Sequence, residues 1–218
     1  MAKHISPAVK PRLRGVSHQA FGPFAFLAGT WLMNSAPDGQ PRLAALIYTL
    51  CITALFVISA AYHRPQWQPA ARQRMRRLDH AAIFLMIAGT YTPVCLITLR
   101  GDAGNQLLYV IWGGAIAGIL VKLFWLHAPK PLSAALYVLL GWAVVVQWQA
   151  VSAGLGAAGV QLMLSGGILY TLGALIYARR RPDPWPQTFG YHEIFHALVI
   201  AAAACHFVMV ARVILQIG

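Results

Sequence analysis

The chain has 218 residues, 59% of them hydrophobic and only 10% charged, with 17 Lys and Arg against 5 Asp and Glu for a formal net charge of +12. Soluble domains carry about 25% charged residues, and a bilayer crossing takes roughly 20 apolar ones, so the composition excludes water as the main solvent and leaves no room for a separate soluble domain. The cations lie between apolar stretches, without a patterned basic helix or stacking motif, which reads as topology and anionic lipid contact and excludes nucleic acid as a partner.

Residues 1–18 form a cytoplasmic arm bearing Lys3, Lys10, Arg12 and Arg14, and residues 19–218 form the transmembrane domain. Within it, seven apolar stretches predict helices at roughly 19 to 35, 43 to 62, 79 to 99, 105 to 126, 132 to 150, 157 to 178 and 191 to 215. Gly22 and Pro23 interrupt the first, and Asn34-Ser35-Ala36 imitates a signal-peptidase site; the long basic arm and Trp31, an interfacial anchor, favour a retained helix. The breaks carry turn chemistry: Pro37-Asp38-Gly39, Arg100-Gly101-Asp102, Ala128-Pro129-Lys130-Pro131 and Arg181-Pro182-Asp183-Pro184.

Sorted onto alternate sides of seven crossings, fourteen of the 17 basic residues fall on the side of the N-terminus, and only Arg42, Arg100 and Arg212 fall on the other. The expected fold is therefore an all-α bundle of seven transmembrane helices in the cell membrane, N-terminus inside and C-terminus outside. Cys51, Cys95 and Cys205 lie in apolar runs without CxxC spacing and read as small hydrophobes. No internal repeat supports an inverted-repeat transporter.

Ionisable side chains at membrane depth are costly and are functional candidates by default. Asp38, Asp102 and Asp183 belong to loops, His4 and His18 precede the bundle, and His127 is in a loop. Most of what remains is at the predicted cytoplasmic end: Ser59 and His63 close the second helix, Asp79 and His80 open the third, and His192, Glu193 and His196 open the seventh. Residues four apart share a helix face, so Ser59 aligns with His63 and His192 with His196. Two histidines on one helix and one on a neighbour can make the three-nitrogen zinc site of hydrolytic enzymes, with Asp79 orienting or deprotonating a water that zinc brings to a pKa of about 7. His206 is about 15 Å further along the axis than His196, too far for the same ion, and is expected to bond to a neighbouring helix. His80 is a supporting residue at most, about 100° around the helix from Asp79.

Two readings of the histidine pair compete. His192-Glu193-Ile194-Phe195-His196 matches H-E-x-x-H, which makes Glu193 the general base of a metalloprotease and leaves Ser59, His63 and Asp79 without work. The other reading uses all three segments. Ser59-Ala-Ala-Tyr-His63, Leu78-Asp79-His80 with Gly89-Thr90-Tyr91-Thr92-Pro93, and His192-x3-His196 followed by Ala201-Ala-Ala-Ala-Cys-His206-Phe207 closely resemble the haemolysin III family, grouped with the progestin and adipoQ receptors and the adiponectin receptors. Pro11-Arg12-Leu13-Arg14-Gly15 is similar to its bacterial members, and the resemblance runs from about residue 11 to about residue 210.

The resemblance implies a seven-helix fold with zinc near the cytoplasmic face on His63, His192 and His196, with Asp79 and Ser59 beside a water on that ion, and it leaves Glu193 as a helix N-terminal acid. It further implies membrane lipids as partners and a lipid or fatty-acyl substrate. The expected activity is zinc-dependent hydrolysis of a lipid amide or ester bond, similar to that of ceramidases, with Asp79 as base and Ser59 bonding the water or oxyanion. A receptor-like membrane-homeostasis sensor with structural zinc ranks second, and a pore third, because no helix shows a continuous polar face. The long soluble extensions of eukaryotic members have no counterpart here, so extracellular protein hormones are not expected as ligands.

Overall fold

In the computed structural model, which describes residues 10–99, 101–125 and 128–216, the described residues are helical apart from short connections and one isolated bridge between Trp185 and Phe189. Lys3, His4, Arg100 and His127 lie outside the described residues. The helices are α1 (Val16–Ser35), α2 (Gln40–His63), α3 (Pro69–Pro93), α4 (Asp102–Phe124), α5 (Lys130–Gly141), α6 (Trp148–Arg179) and α7 (Tyr191–Leu215). Proline occupies the first turn of α2, α3 and α5, where its missing N–H costs nothing. Gly22 and Pro23 do not interrupt α1, which runs unbroken and begins three residues before the expected boundary, so His18 is part of the bundle.

Five helical stretches have the length and hydropathy to cross a membrane: Gln40–His63, Pro69–Thr98, Asp102–Phe124, Lys130–Arg179 and Tyr191–Leu215. The Lys130–Arg179 stretch is folded double. Trp142 Nε1 donates to Thr171 Oγ1 at 3.0 Å, although 29 residues of straight helix would hold them roughly 43 Å apart. The chain turns back at Gly156, whose φ of 64° and ψ of 177° break the helical path midway between them. That break falls between the stretches predicted at 132 to 150 and 157 to 178.

The first of those two stretches is not one continuous helix. After Gly141 the chain passes through Trp142 into a 3-10 turn, Ala143–Gln147, before α6 begins. Broken backbone at membrane depth needs internal partners, and Tyr91 supplies them: its hydroxyl donates to the carbonyl of Gly141 at 2.6 Å and accepts from the N–H of Val144 at 2.9 Å. α3 likewise continues past Pro93 into a π-helical turn, Val94–Thr98.

Consecutive helices pack as neighbours, and α7 closes the bundle against α1, α2, α3 and α6. Leu32, Tyr48, Phe56, Phe84, Ile111 and Met209 are buried between them. Phe24, Leu27, Trp31, Tyr109, Phe124 and Leu139 face outward, the arrangement expected where the surrounding medium is itself apolar. At one end the cations gather: Lys10 Nζ donates to the carbonyl of Arg64 at 2.8 Å, Arg64 Nε to Gln19 Oε1 at 2.8 Å, and Lys130 Nζ to the hydroxyl of Tyr191 at 3.3 Å. The three predicted zinc ligands occupy this end.

Candidate metal centre

Each histidine of the centre is fixed by the element that carries it. His63 closes the last turn of α2, one residue before the Arg64 cap. His192 and His196 stand one turn apart at the start of α7, whose first N–H groups are held by two carboxylates. Glu193 Oε2 accepts from the N–H of Gly190 at 2.8 Å, and Asp183 Oδ1 accepts from the N–H of Tyr191 at 3.0 Å. Acids belong at this position, where orphan donors and the helix dipole favour negative charge.

The structure brings His63, His192 and His196 together, with one ligand nitrogen from each within 4.8 Å of the others. His63 Nε2 and His192 Nε2 are 3.2 Å apart. Two nitrogens bound tetrahedrally to zinc at 2.0–2.1 Å are separated by about 3.3 Å, so this spacing suits a shared ion. His196 Nδ1 is buried without a hydrogen-bond partner, as is Nε2 of His18. Three imidazoles that converge one nitrogen each fit a metal ion with a fourth position open.

Ser59 and Asp79, the predicted catalytic pair, are at the same centre. Asp79 Oδ2 lies 3.9 Å from His63 Nε2, and the Ser59 hydroxyl neighbours the Asp79 carboxylate. All five residues line one cavity of about 1020 Å³ that continues between α3, α5, α6 and α7 to His206.

His18 is the residue that sequence reasoning missed. Placed in the arm, it is instead buried in the first turn of α1, where its Nδ1 shares a hydrogen bond of 2.9 Å with Ser59 Oγ and its ring stacks on His196 with centroids 3.8 Å apart. Its signal was depth: once α1 starts at Val16, His18 is level with the other histidines.

Glu193 is excluded as the base of an H-E-x-x-H site. Both its oxygens are taken, Oε2 by the helix cap and Oε1 by Arg14 Nε at 2.5 Å. His206 bonds through Nε2 to the carbonyl of Met163 on α6 at 3.1 Å, the neighbouring-helix role expected of it. His80 stays apart from the three-histidine centre; its ring lines the cavity and its carbonyl accepts from the Tyr137 hydroxyl at 3.3 Å. Cys51, Cys95 and Cys205 are free thiols.

Comparison with known proteins agrees with this geometry. The family described as "Haemolysin-III related" matches residues 7–207. Hemolysin-3 of Bacillus cereus is 36% identical over 165 residues, covering 76% of this chain and 72% of that protein. The Hemolysin-3 homolog of Bacillus subtilis is 36% identical over 60% of this chain and 58% of its own length. The adiponectin receptor protein of Drosophila melanogaster is 31% identical over 60% of this chain, and the matched part spans only 33% of that relative.

Proposed function

The chain belongs to the haemolysin-III-related family of multi-pass membrane proteins, and from that premise we propose that it hydrolyses an amide or ester bond of a membrane lipid, using zinc held by His63, His192 and His196. The observation that carries this reading is the union of the three-histidine centre with a cavity of about 1020 Å³ whose deeper wall includes Ile83, Met86, Ile87 and Val138. A polar reacting end joined to an apolar chamber suits an acyl chain attached to a carbonyl.

Zinc bound at such a centre supplies Lewis acidity toward a carbonyl and acidifies water. Asp79 Oδ2, beside His63, accepts the proton of the attacking water and returns it to the leaving group. Ser59 Oγ is positioned by His18: with the proton on Nδ1, His18 donates to Ser59, whose own hydrogen points to the neighbouring Asp79 and can turn to an oxyanion once Asp79 has taken the proton of the water. The apolar walls exclude bulk water.

The basic end of the bundle supports placing the centre at the cytoplasmic face. Counting the doubled Lys130–Arg179 stretch as two crossings and α1 as one gives seven, with the N-terminus inside and the C-terminus outside. A second reading, a receptor-like sensor with structural zinc, draws on the name of the Drosophila relative and on the way the histidines tie α2 to α7.

The test is metal content by mass spectrometry on detergent-purified protein, together with a lipid-hydrolysis screen. Near-stoichiometric zinc, lost in His192→Ala/His196→Ala, with turnover of an acyl lipid, is expected. Well-folded wild-type protein that takes up no zinc when supplied with it would sink the mechanism.

A further inference from the structure

The stripe of α3 that faces the cavity changes character along its length. Arg72 and Arg76 are one turn apart, Asp79 and His80 line the cavity on either side of the line they set, and Ile83, Met86 and Ile87 continue it inward. Arg76 precedes Asp79 by about 5 Å along the helix axis and Arg72 by about 10 Å, both toward the basic end. The order of charged, reacting and apolar zones matches that of an amphiphile.

The mouth is far from neutral. Lys10, Arg14, Arg72, Arg76 and Lys130 line the cavity, and Asp79 is the one carboxylate among its lining residues. Arg14 is committed to Glu193. Neither Arg72 nor Arg76 has a side-chain hydrogen bond or a carboxylate partner among the described residues. Lys130 has only the Tyr191 hydroxyl and the ring faces of Tyr177 and Tyr191, at 4.7 and 5.4 Å. The crowding is felt by Lys10, whose ammonium is lowered from its ordinary value by partial burial and then by Arg64, Arg14 and Arg72.

Resting on the lipid-hydrolase reading, we propose that the ligand of this cavity is an anionic amphiphile whose phosphate or carboxylate headgroup sits among Arg72, Arg76 and Lys130 while its chain runs along α3 past Asp79. Positive residues at the inner face of a membrane protein also attract anionic lipid without any site, so charge alone does not distinguish the two cases. Location does: the three cations border the cavity, whereas Arg179 and Arg180 are exposed and lie outside it.

The test is equilibrium binding in neutral detergent, using oleate, oleoyl lysophosphatidic acid and monoolein, the last two in ether-linked form with no ester to hydrolyse, as probes that share one C18 chain. At least one anionic probe is expected to bind about tenfold or more tightly than monoolein, and which one identifies the headgroup as carboxylate or phosphate. Arg72→Gln/Arg76→Gln/Lys130→Gln should remove that preference and keep monoolein binding, which also reports that the cavity is intact; Arg179→Gln/Arg180→Gln should keep the preference. Should the triple variant not fold, Arg72→Gln and Lys130→Gln singly should each weaken the preference. Equal binding of the three probes, or equal loss of preference in Arg179→Gln/Arg180→Gln, overturns the proposal. Binding is measured without turnover, so a protein that hydrolyses nothing yet keeps the preference refutes the enzyme and leaves the headgroup site.

Discussion

His18 lies flat against His196, their rings 3.8 Å apart and 7° from parallel, and shares its Nδ1 proton position with Ser59 Oγ. One imidazole from the first helix thus supports both a histidine of the candidate metal centre and the serine beside it. Residues that support metal ligands cost about 10–100-fold in metal affinity or activity when changed. His18→Phe keeps an aromatic ring over His196 and loses the hydrogen bond to Ser59. It is expected to retain zinc and lose about tenfold in turnover, whereas His18→Ala should also lower zinc affinity. Competition with a chromophoric chelator, run beside a turnover assay, separates the two; His18→Ala with wild-type values in both would remove the supporting role.

Asp79→Asn and Ser59→Ala divide chemistry from metal binding. Neither residue is among the three ligands, so both variants should hold zinc at wild-type stoichiometry. Proton transfer by a positioned side chain contributes about 10²–10⁴-fold, and the loss of turnover in Asp79→Asn should fall in that range. Ser59→Ala should lose less, on the order of tenfold, because it removes one hydrogen bond. Full turnover in Asp79→Asn would leave the sensor reading in possession of the site.

Glu193 offers a sharp choice between the two readings of its motif. Bound to Arg14 and capping α7, it is a structural acid here. Glu193→Gln keeps an oxygen for the cap and should retain turnover within about threefold, with the thermal midpoint lowered by loss of the charge pair. Glu193→Ala breaks the pair and the cap together, at a cost of about 3–5 kcal/mol for a buried charge left alone, somewhat less where Arg14 reaches water. A folded Glu193→Gln protein that binds zinc and is inactive would return the glutamate to the role of base.

Gly156 marks the turn inside the Lys130–Arg179 stretch. An alanine there must hold a φ of 64° with ψ of 177°, a region open essentially to glycine alone, costing roughly 1–3 kcal/mol, which a thermal unfolding scan of Gly156→Ala should detect. Reporter fusions complete the test: a periplasm-active reporter should work at the C-terminus, and a cytoplasm-active one in the loop after Arg179. A cytoplasmic C-terminus would fix an even number of crossings and move one of the seven.

Hydropathy fixes depth and a spacing of four fixes direction, which made His63, His192 and His196 candidates at one end of the bundle; the resemblance to the haemolysin III family chose them as the zinc set over the H-E-x-x-H reading. His18 was hidden by its own helix. Gly22 and Pro23 weaken the apolar signal of α1, and a boundary drawn at residue 19 left the histidine outside. The break after Gly141 was invisible for a different reason: Ala143-Val144-Val145-Val146 is as apolar as a helix, and what satisfies its backbone is Tyr91, fifty residues earlier. Partners supplied by another helix leave no mark in the local sequence.

The arm and the connection that leads into α7 are joined at the backbone: Arg12 and Leu13 donate their N–H groups to the carbonyls of Gln187 and Thr188, and Gly15 passes so near His63 of α2 that a Cβ there would come within 2.6 Å of its own. A nascent chain that stops after Arg179 possesses one of the three histidines of the candidate centre, and its arm has its contacts with α2, such as Lys10 to the Arg64 carbonyl, without those to Gln187 and Thr188. A three-histidine centre is therefore complete only once α7 has joined α2, so an ion that needs all three nitrogens could be held only after that helix is in place.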